Sequence, residues 1–419
     1  SLDIYATPGA KIKVTGTNPL IYTWRVDSPV KEQQEHNRFI EDSRDLWDEF
    51  QRLAIKERSM RSASEAERKA LRTKSDSISS IINQRELKLM KELPISNVWM
   101  EKLLRLSMSL KYNSRFTNKE EILALYDRLN EEQKASIEGQ EIRVNLFPPK
   151  TVKEGDDMAD ADLFDLDGKV HHLADFKGKY MLLDFWSSGC GPCIMALPEM
   201  KEIQEQYKDR LTIISLSSDT QTRWKAASTQ HEMTWQNLSD LKQTAGLYAV
   251  YDVNGIPNYV LISPKGKIVK MWSGYGKGSL KLKMRRYLDA PKREMSITGD
   301  TNRKVVNYPS FESTNTDILE VKQVELTDTA TIVHFYAYYI PKYWIQVSVN
   351  AKLVDEQGTS YTLQKADGIT PGKHFFLPES GEAEFSLTFK PLPLKTKSFN
   401  FTEGTAKNDW QINGIKLTR

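Results

Sequence analysis

The chain has 419 residues, more than one hydrophobic core usually supports, so we expect several domains. Its 59 basic and 56 acidic residues leave a formal charge of +3, which argues against nucleic acid as a partner. No apolar run reaches about 18 residues, so the sequence predicts no membrane-spanning helix. The first residues lack a basic region followed by an apolar stretch, and we expect a processed product that begins within a domain.

The first half of the chain divides into two predicted regions. Residues 1–28 alternate apolar and polar side chains between turn formers, which predicts a β fragment. Residues 29–146 contain few glycines or prolines and have apolar side chains at helical spacing, which predicts a helical segment. Within this segment Pro94 marks a break, and residues 117–120 have the pattern of a capping box that opens another helix.

The second half also divides into two predicted regions. Residues 147–292 alternate short apolar strands with helices, which predicts an α/β domain. The predicted strands of this domain are residues 180–186, 211–216, 259–262 and 268–272, with helices after Cys193, before Met233 and up to Leu288. Residues 293–419 contain period-two runs, such as residues 331–335 and 344–349, and predict a β-sandwich-like domain.

The only two cysteines, Cys190 and Cys193, are three positions apart. Two cysteines exclude a multi-disulfide framework and a four-cysteine zinc site, so we expect no metal and no cofactor besides this redox-active pair. Cys190 follows an apolar strand and a glycine-containing loop and opens a helix, where unpaired N–H groups and the helix dipole favour a thiolate. We predict that Cys190 attacks a substrate disulfide and that Cys193 then attacks the Cys190 sulfur.

Asp184 is the candidate acid–base residue. It lies six residues before Cys190 in an apolar strand, where its carboxylate could sit beneath the cysteines and take a proton from Cys193. The alternative is a carboxylate that faces solvent or bonds to the backbone. A charged residue in an apolar strand is unusual, which favours the catalytic role.

Residues 154–288 resemble the thioredoxin-like family, specifically its extracytoplasmic, redoxin-type thiol-disulfide reductases related to cytochrome c maturation proteins. The resemblance depends on the order and spacing of short motifs. These are Asp165-Leu166-Asp167-Gly168-Lys169, Asp184-Phe185-Trp186, Cys190-Gly191-Pro192-Cys193, Leu197-Pro198 and Gly255-Ile256-Pro257. The order of the flanking regions is similar to that of multidomain proteins exported by Bacteroidetes.

The resemblance implies a thioredoxin-like α/β fold for the central domain of a multidomain α/β protein. It implies that a cis Ile256–Pro257 bond faces the cysteines and leaves the Ile256 backbone free to pair with an extended substrate. The alternative is a trans proline at the start of a strand. The residues expected to contact substrate are Trp186, Gly191, Pro192, Gly255 and Ile256.

The resemblance also implies partners and a location. The partners are disulfide-containing proteins and a membrane-bound dithiol donor. The location is extracytoplasmic, either periplasmic or lipid-anchored on the periplasmic side. The chain departs from many relatives at Gly189, where they carry Trp, and at Ala196, where they carry Glu. The first departure opens the surface around Cys190, and the second removes an acid and leaves Asp184 as the only obvious candidate.

The sequence therefore predicts a thiol-disulfide oxidoreductase. Reduction is favoured over oxidation or isomerisation because Gly191-Pro192 is the thioredoxin pairing associated with a low potential. One alternative is a thiol peroxidase, although Ser187 stands where such an enzyme usually has threonine. The other is a surface binding protein in which the disulfide is only a structural staple.

Overall fold

A computed structural model describes residues 2–16, 20–21, 24–59, 64–112, 116–289, 294–404, 406 and 408–418. The described residues form two compact units. The first unit is drawn from residues 1–175, 215–254 and 266–268, and the second from residues 176–214, 255–265 and 269–419. The predicted domain boundary between residues 292 and 293 lies outside the described residues.

The N-terminal region consists of a small strand pair and a set of helices. Strands β1 (Lys13–Thr15) and β2 (Arg25–Asp27) pair antiparallel. The helices are α1 (Lys31–Asp42), α2 (Arg44–Ser59), α3 (Glu65–Glu92), α4 (Asn97–Tyr112), α5 (Lys119–Tyr126), α6 (Glu131–Ala135) and α7 (Ile137–Leu146). The predicted break at Pro94 is confirmed, because this residue lies between α3 and α4.

The capping box predicted at residues 117–120 is wrong. Helix α5 begins one residue later than that pattern requires, with Asn118 as its N-cap and no side-chain capping bond. The Asn118 amide instead donates to the Glu121 carboxylate at 3.1 Å. Capping boxes do occur at α3, from Ser64 and Glu67, and at α6, from Asn130 and Gln133.

The central region supplies a five-stranded sheet in the order β7-β6-β5-β8-β9. Its strands are β5 (Tyr180–Trp186), β6 (Leu211–Ser217), β7 (Gln236–Leu238), β8 (Asn258–Ile262) and β9 (Ile268–Ser273), preceded by the pair β3 (Leu163–Phe164) and β4 (Val170–His171). Its helices are α8 (Gly191–Tyr207), α9 (Gln221–Gln230), α10 (Leu247–Val250) and α11 (Ser279–Leu288). The four predicted strands and three predicted helices are confirmed, because each apolar run is bounded by turn-forming residues.

Strands β5 and β8 lie side by side in the second unit and position the site. They pair antiparallel from Met181 opposite Ile262 to Phe185 opposite Asn258. Almost every residue of both strands is buried, as expected for central strands covered on two faces.

The C-terminal region is a ten-stranded sheet in the order β10-β11-β13-β14-β19-β17-β16-β20-β21-β12, beside a small β15-β18 pair. The strands are β10 (Ser296–Gly299), β11 (Arg303–Asn307), β12 (Ser313–Thr314), β13 (Leu319–Thr327), β14 (Thr331–Tyr338), β15 (Trp344–Ile345), β16 (Lys352–Asp355), β17 (Ser360–Asp367), β18 (Phe375–Phe376), β19 (Glu382–Phe389), β20 (Ser398–Thr402) and β21 (Gln411–Lys416). The rings of Phe335 on β14 and Phe401 on β20 are 5.0 Å apart although these strands are not neighbours, so the sheet folds over one core.

One predicted C-terminal strand is shorter than expected. The alternating run at residues 344–349 forms a strand only at Trp344–Ile345, because its partner, Phe375–Phe376, offers just two paired positions. The run at residues 331–335 is confirmed and extends to Tyr338.

Ion pairs join β9 and α11 to the segment between β12 and β13 within the second unit. Asp317 accepts from Lys270 at 2.5 Å and from Lys283 at 3.1 Å. Burial would raise the pKa of Asp317, but the two ammonium groups hold that pKa below its usual range.

Among the described residues, no helix combines the length and apolarity needed to cross a bilayer.

Candidate active site

The two cysteines lie at the start of α8 and form a disulfide. Cys190 is the N-cap of this helix, and its Sγ accepts a hydrogen bond from the Cys193 backbone N–H at 3.1 Å. Pro192 occupies the first turn, where its missing N–H removes no helical bond. The positive end of a 17-residue helix therefore points at the Cys190 sulfur.

The two sulfurs differ in exposure. Cys190 is 9% exposed and Cys193 is 3% exposed, so an incoming group reaches Cys190 first. Gly191 and Pro192, for which the sequence predicts substrate contact, are both exposed beside them. Met195, further along the helix surface, is 61% exposed and adds an apolar side chain to the same end of α8.

The segment before β8 lies at the same end of the β5–β8 pair. The register that places Phe185 opposite Asn258 brings Pro257 level with Trp186, the last residue before the loop to Cys190. The Ile256–Pro257 peptide bond is cis. Gly255 is exposed and Ile256 is half-buried, and neither backbone group of Ile256 has a hydrogen-bond partner among the described residues.

Asp184 is 2% exposed, so the alternative of a solvent-facing carboxylate is excluded. It stands directly opposite Tyr259 in the β5–β8 ladder, and such cross-strand pairs project from the same face of a sheet. Tyr259 is fully buried. Burial, followed by the charge of Asp184, raises the pKa of the Tyr259 phenol far above its usual value, so the hydroxyl stays protonated.

Trp186 requires a correction. The sequence predicts that it contacts substrate, but its side chain is 1% exposed. A ring so completely covered belongs to the core beneath the active-site loop and offers no surface to a docking protein. A tryptophan close to a cysteine motif suggests contact with substrate, but the packing at the end of β5 buries the Trp186 ring.

Glu199 is a buried residue that sequence reasoning missed. From α8 its carboxylate accepts backbone N–H groups at the start of α11: Gly278 at 2.7 Å, Leu280 at 3.1 Å and Lys281 at 3.1 Å. Helix α11 has no capping side chain of its own, since its N-cap is Gly278 with φ of 83°. Glu199 therefore replaces the missing cap and fixes α11 against α8.

Replacing Glu199 with alanine is expected to lower the free energy of unfolding of this region by about 2 kcal/mol or more, because several buried N–H groups lose their acceptor. Hydrogen exchange of the amides of residues 278–281 should accelerate, and urea should unfold the region at a lower concentration. Mass spectrometry of the deuterated protein measures the exchange rates, and the same measurement over a series of urea concentrations gives the unfolding midpoint of the region.

The matched control is Glu202→Ala. Glu202 also joins α8 to α11, through Lys281 at 2.7 Å, but its side chain is 66% exposed. Exposed ion pairs contribute less than about 1 kcal/mol, so exchange at the start of α11 should stay near that of the wild type. Equal effects of the two substitutions would show that Glu199 is not the cap.

Two sequence patterns could have identified the missed residues. Glu199 falls three residues after Ala196 and four before Ile203, on the apolar stripe of α8, where a charged residue needs a buried partner. Tyr259 lies two residues after Pro257, so once the register with β5 is known it must face Asp184. Register depends on pairing between distant segments and is not visible in either strand alone.

No group of three or more histidine, cysteine or acidic side chains among the described residues is arranged to hold a metal ion. The site itself contains a disulfide at a helix start, a buried carboxyl group and a buried phenol.

The fold and the disulfide at the start of α8 define a thioredoxin-like dithiol protein. Residues 155–271 match the AhpC/TSA family. The thioredoxin-like protein YneN of Bacillus subtilis is 31% identical over 121 residues, which cover 28% of this chain and 69% of YneN. The thiol-disulfide oxidoreductase ResA of Geobacillus thermodenitrificans is 32% identical over 139 residues, which cover 32% of this chain and 79% of ResA.

A solved structure is also similar. The thioredoxin domain of a thiol-disulfide oxidoreductase from Bacteroides vulgatus is 28% identical, with a TM-score of 0.31, and the match covers 33% of this chain and 100% of that one. Because ResA is 32% identical and is covered over 79% of its length, the chain belongs to the family of thioredoxin-like thiol-disulfide oxidoreductases. It is an oxidoreductase, as the sequence predicts.

Proposed function

We propose that the protein reduces disulfide bonds in other proteins, with Cys190 as the attacking thiolate and Cys193 as the resolving thiol. The observation that carries this proposal is the placement of Cys190 as the N-cap of α8, where the helix dipole and the Cys193 N–H both favour a negative sulfur. Cys193 lies one turn further in and is less exposed, which suits it to the second step.

The reaction balances as two displacements. The Cys190 thiolate attacks one sulfur of the substrate disulfide, and the other substrate sulfur leaves as a thiolate. Cys193 then gives its proton to Asp184 and attacks the Cys190 sulfur, so that the second substrate sulfur leaves and the Cys190–Cys193 disulfide forms. The substrate gains two electrons, and a dithiol donor must reduce the pair before the next cycle.

The substrate is held as an extended segment. The backbone groups of Ile256 are available to pair with such a segment, as in strand addition at a sheet edge. Gly191 and Pro192, between the two cysteines, and Gly255, before Ile256, are all exposed and carry no long side chain, which lets a substrate backbone approach closely.

The protein works outside the cytoplasm, in the periplasm or anchored by lipid on its periplasmic side, as an exported protein of the Bacteroidetes type. Its donor there is a membrane-bound dithiol protein, and its role is thiol homeostasis of exported proteins. The support is chemical: protein disulfides form and persist in oxidising compartments, so substrates for such a reductase are found there.

Cys193→Ser tests the assignment of the two roles. The reduced variant, mixed with native disulfide-bonded insulin, is expected to accumulate a covalent adduct through Cys190. The first displacement proceeds, but the second lacks its attacking thiol. Mass spectrometry of the adduct identifies the bonded cysteine, and dithiothreitol should release it. Absence of an adduct would contradict the assignment of Cys190 as nucleophile and Cys193 as resolving thiol.

The direction of electron flow is tested by equilibrating the protein with glutathione. A reduction potential of the Cys190–Cys193 pair of about −270 mV supports reduction of substrates, and one of about −120 mV supports oxidation. The reduced and oxidised fractions are measured by alkylation of free thiols. A strongly oxidising value would overturn the proposed direction and leave the cysteine roles intact.

A further inference from the structure

The Tyr259 hydroxyl is a buried polar group that the reaction described above does not use. The residue is fully buried, and its hydroxyl has no hydrogen-bond partner among the described residues. Leaving a buried donor without an acceptor is unfavourable. We therefore expect the hydroxyl to have an acceptor in another state of the protein. The acceptor must lie on the same face of the sheet.

The face of the sheet that carries the Tyr259 side chain is defined by its neighbours on β5, β9 and α11. Asp184 is directly opposite Tyr259, which puts their Cβ atoms about 4.5–5.5 Å apart on one face. The Tyr259 ring stacks on Trp272 of β9, with centroids 5.4 Å apart. Lys283 of α11 lies 5.9 Å from the Trp272 ring, so α11 covers this face. Since Glu199 ties α11 to α8, the face that carries Asp184 and Tyr259 lies under the helix that begins at Cys190.

Asp184 is the residue paired with Tyr259 across the ladder, and its charge acts on the Tyr259 phenol. Glu199 also approaches it, but that carboxylate already accepts three backbone N–H groups and the Tyr275 hydroxyl. Burial and the Glu199 charge raise the pKa of Tyr275 to about 12, so its proton stays on oxygen and its bond to Glu199 is retained at neutral pH. Glu199 is therefore committed to capping α11, and Asp184 is the candidate acceptor.

We propose that Tyr259 is a positioning residue whose hydroxyl donates a hydrogen bond to the Asp184 carboxylate in the dithiol form. This inference rests on the proposed function, in which Asp184 takes the proton of Cys193. A donor to a carboxylate favours its ionised form, which is the form that can take the proton of Cys193. Tyr259 thereby keeps Asp184 available as a base toward lower pH.

The groups that face Tyr259 come from every element around it. They are Asp184 on β5, Glu199 on α8, Tyr275 after β9 and, beyond Trp272, Lys283 on α11. Of these, only Asp184 both changes protonation in the proposed reaction and pairs directly with Tyr259 across the ladder. Removing the hydroxyl should therefore change the pH dependence of one step, the attack by Cys193.

The test is Tyr259→Phe in the full chain. Reduced protein is mixed with dithiobis(nitrobenzoate), whose first coloured thiolate reports attack by Cys190 and whose second reports attack by Cys193. The acid limb of the second step should move to higher pH, slowing that step about tenfold there, while the rates converge at alkaline pH. The first step should keep its wild-type pH profile.

Two further variants separate this role from loss of a buried hydroxyl. Tyr251→Phe removes a buried hydroxyl that bonds to the Ala159 carbonyl at 2.8 Å, and it should leave the second step unchanged. Adding Tyr259→Phe to Asp184→Asn should have no further effect on the pH profile, because the titrating carboxyl is already gone.

A Tyr259→Phe profile that superimposes on the wild type would overturn the inference, as would an equal effect in the Asp184→Asn background. Failure of the proposed function looks different: the wild-type protein itself would release only one thiolate per molecule. Circular dichroism of each variant confirms that it is folded before the rates are compared.

Discussion

Cys190→Ser is expected to abolish disulfide exchange, lowering the rate of insulin reduction by about 10³-fold or more to the uncatalysed level. A serine hydroxyl at the N-cap still accepts the Cys193 N–H, so the helix start is preserved while the nucleophile is lost. The remaining thiol, Cys193, is 3% exposed and cannot reach a protein disulfide. The rate is measured by insulin turbidity with a chemical dithiol as donor.

Cys193→Ser is the matched control for that loss. It also lacks turnover, but it retains the first displacement and so still forms a mixed disulfide. Alkylation adds a second comparison, because the helix start should make Cys190 react at a pH where an ordinary thiol is protonated. If Cys190→Ser kept its activity, Cys193 would have to be the nucleophile, since the chain has no other cysteine.

The central domain could be predicted from sequence because its elements are locally determined. The run from Tyr180 to Trp186 is apolar apart from Asp184, is preceded by Gly178 and Lys179, and ends at a loop with Gly189, so its bounds are visible without any partner. The cysteine spacing at a helix start likewise needs no long-range information. These local features lead to the correct family.

What could not be predicted depends on contacts between distant residues. Glu199 caps a helix that begins about eighty residues later, and the N–H groups that it accepts come within reach only when α8 and α11 pack together. Tyr259 meets Asp184 through the register of β5 and β8, which is set by the whole ladder. The burial of Trp186 follows from the same packing, and an aromatic residue beside a cysteine motif gives no indication of it.

Asp184→Asn is expected to slow the second displacement about 10²-fold near neutral pH while leaving the first almost unchanged. Asparagine keeps the size of the side chain and an acceptor oxygen, but it cannot take a proton from Cys193. The step should also lose the acid limb that titration of a carboxyl gives it. Both effects are read from the two coloured thiolates released by dithiobis(nitrobenzoate).

Asp240→Asn is the control for loss of a buried carboxylate. Asp240 is 8% exposed and accepts the backbone N–H groups of Lys242 and Leu247 at 3.0 and 2.7 Å, so its substitution should weaken folding without altering either displacement. If Asp184→Asn likewise changed only stability, the buried acid would be structural. The proton of Cys193 would then have to leave by way of solvent, which its 3% exposure disfavours, and an acid limb that survives in Asp184→Asn would be the sign of that route.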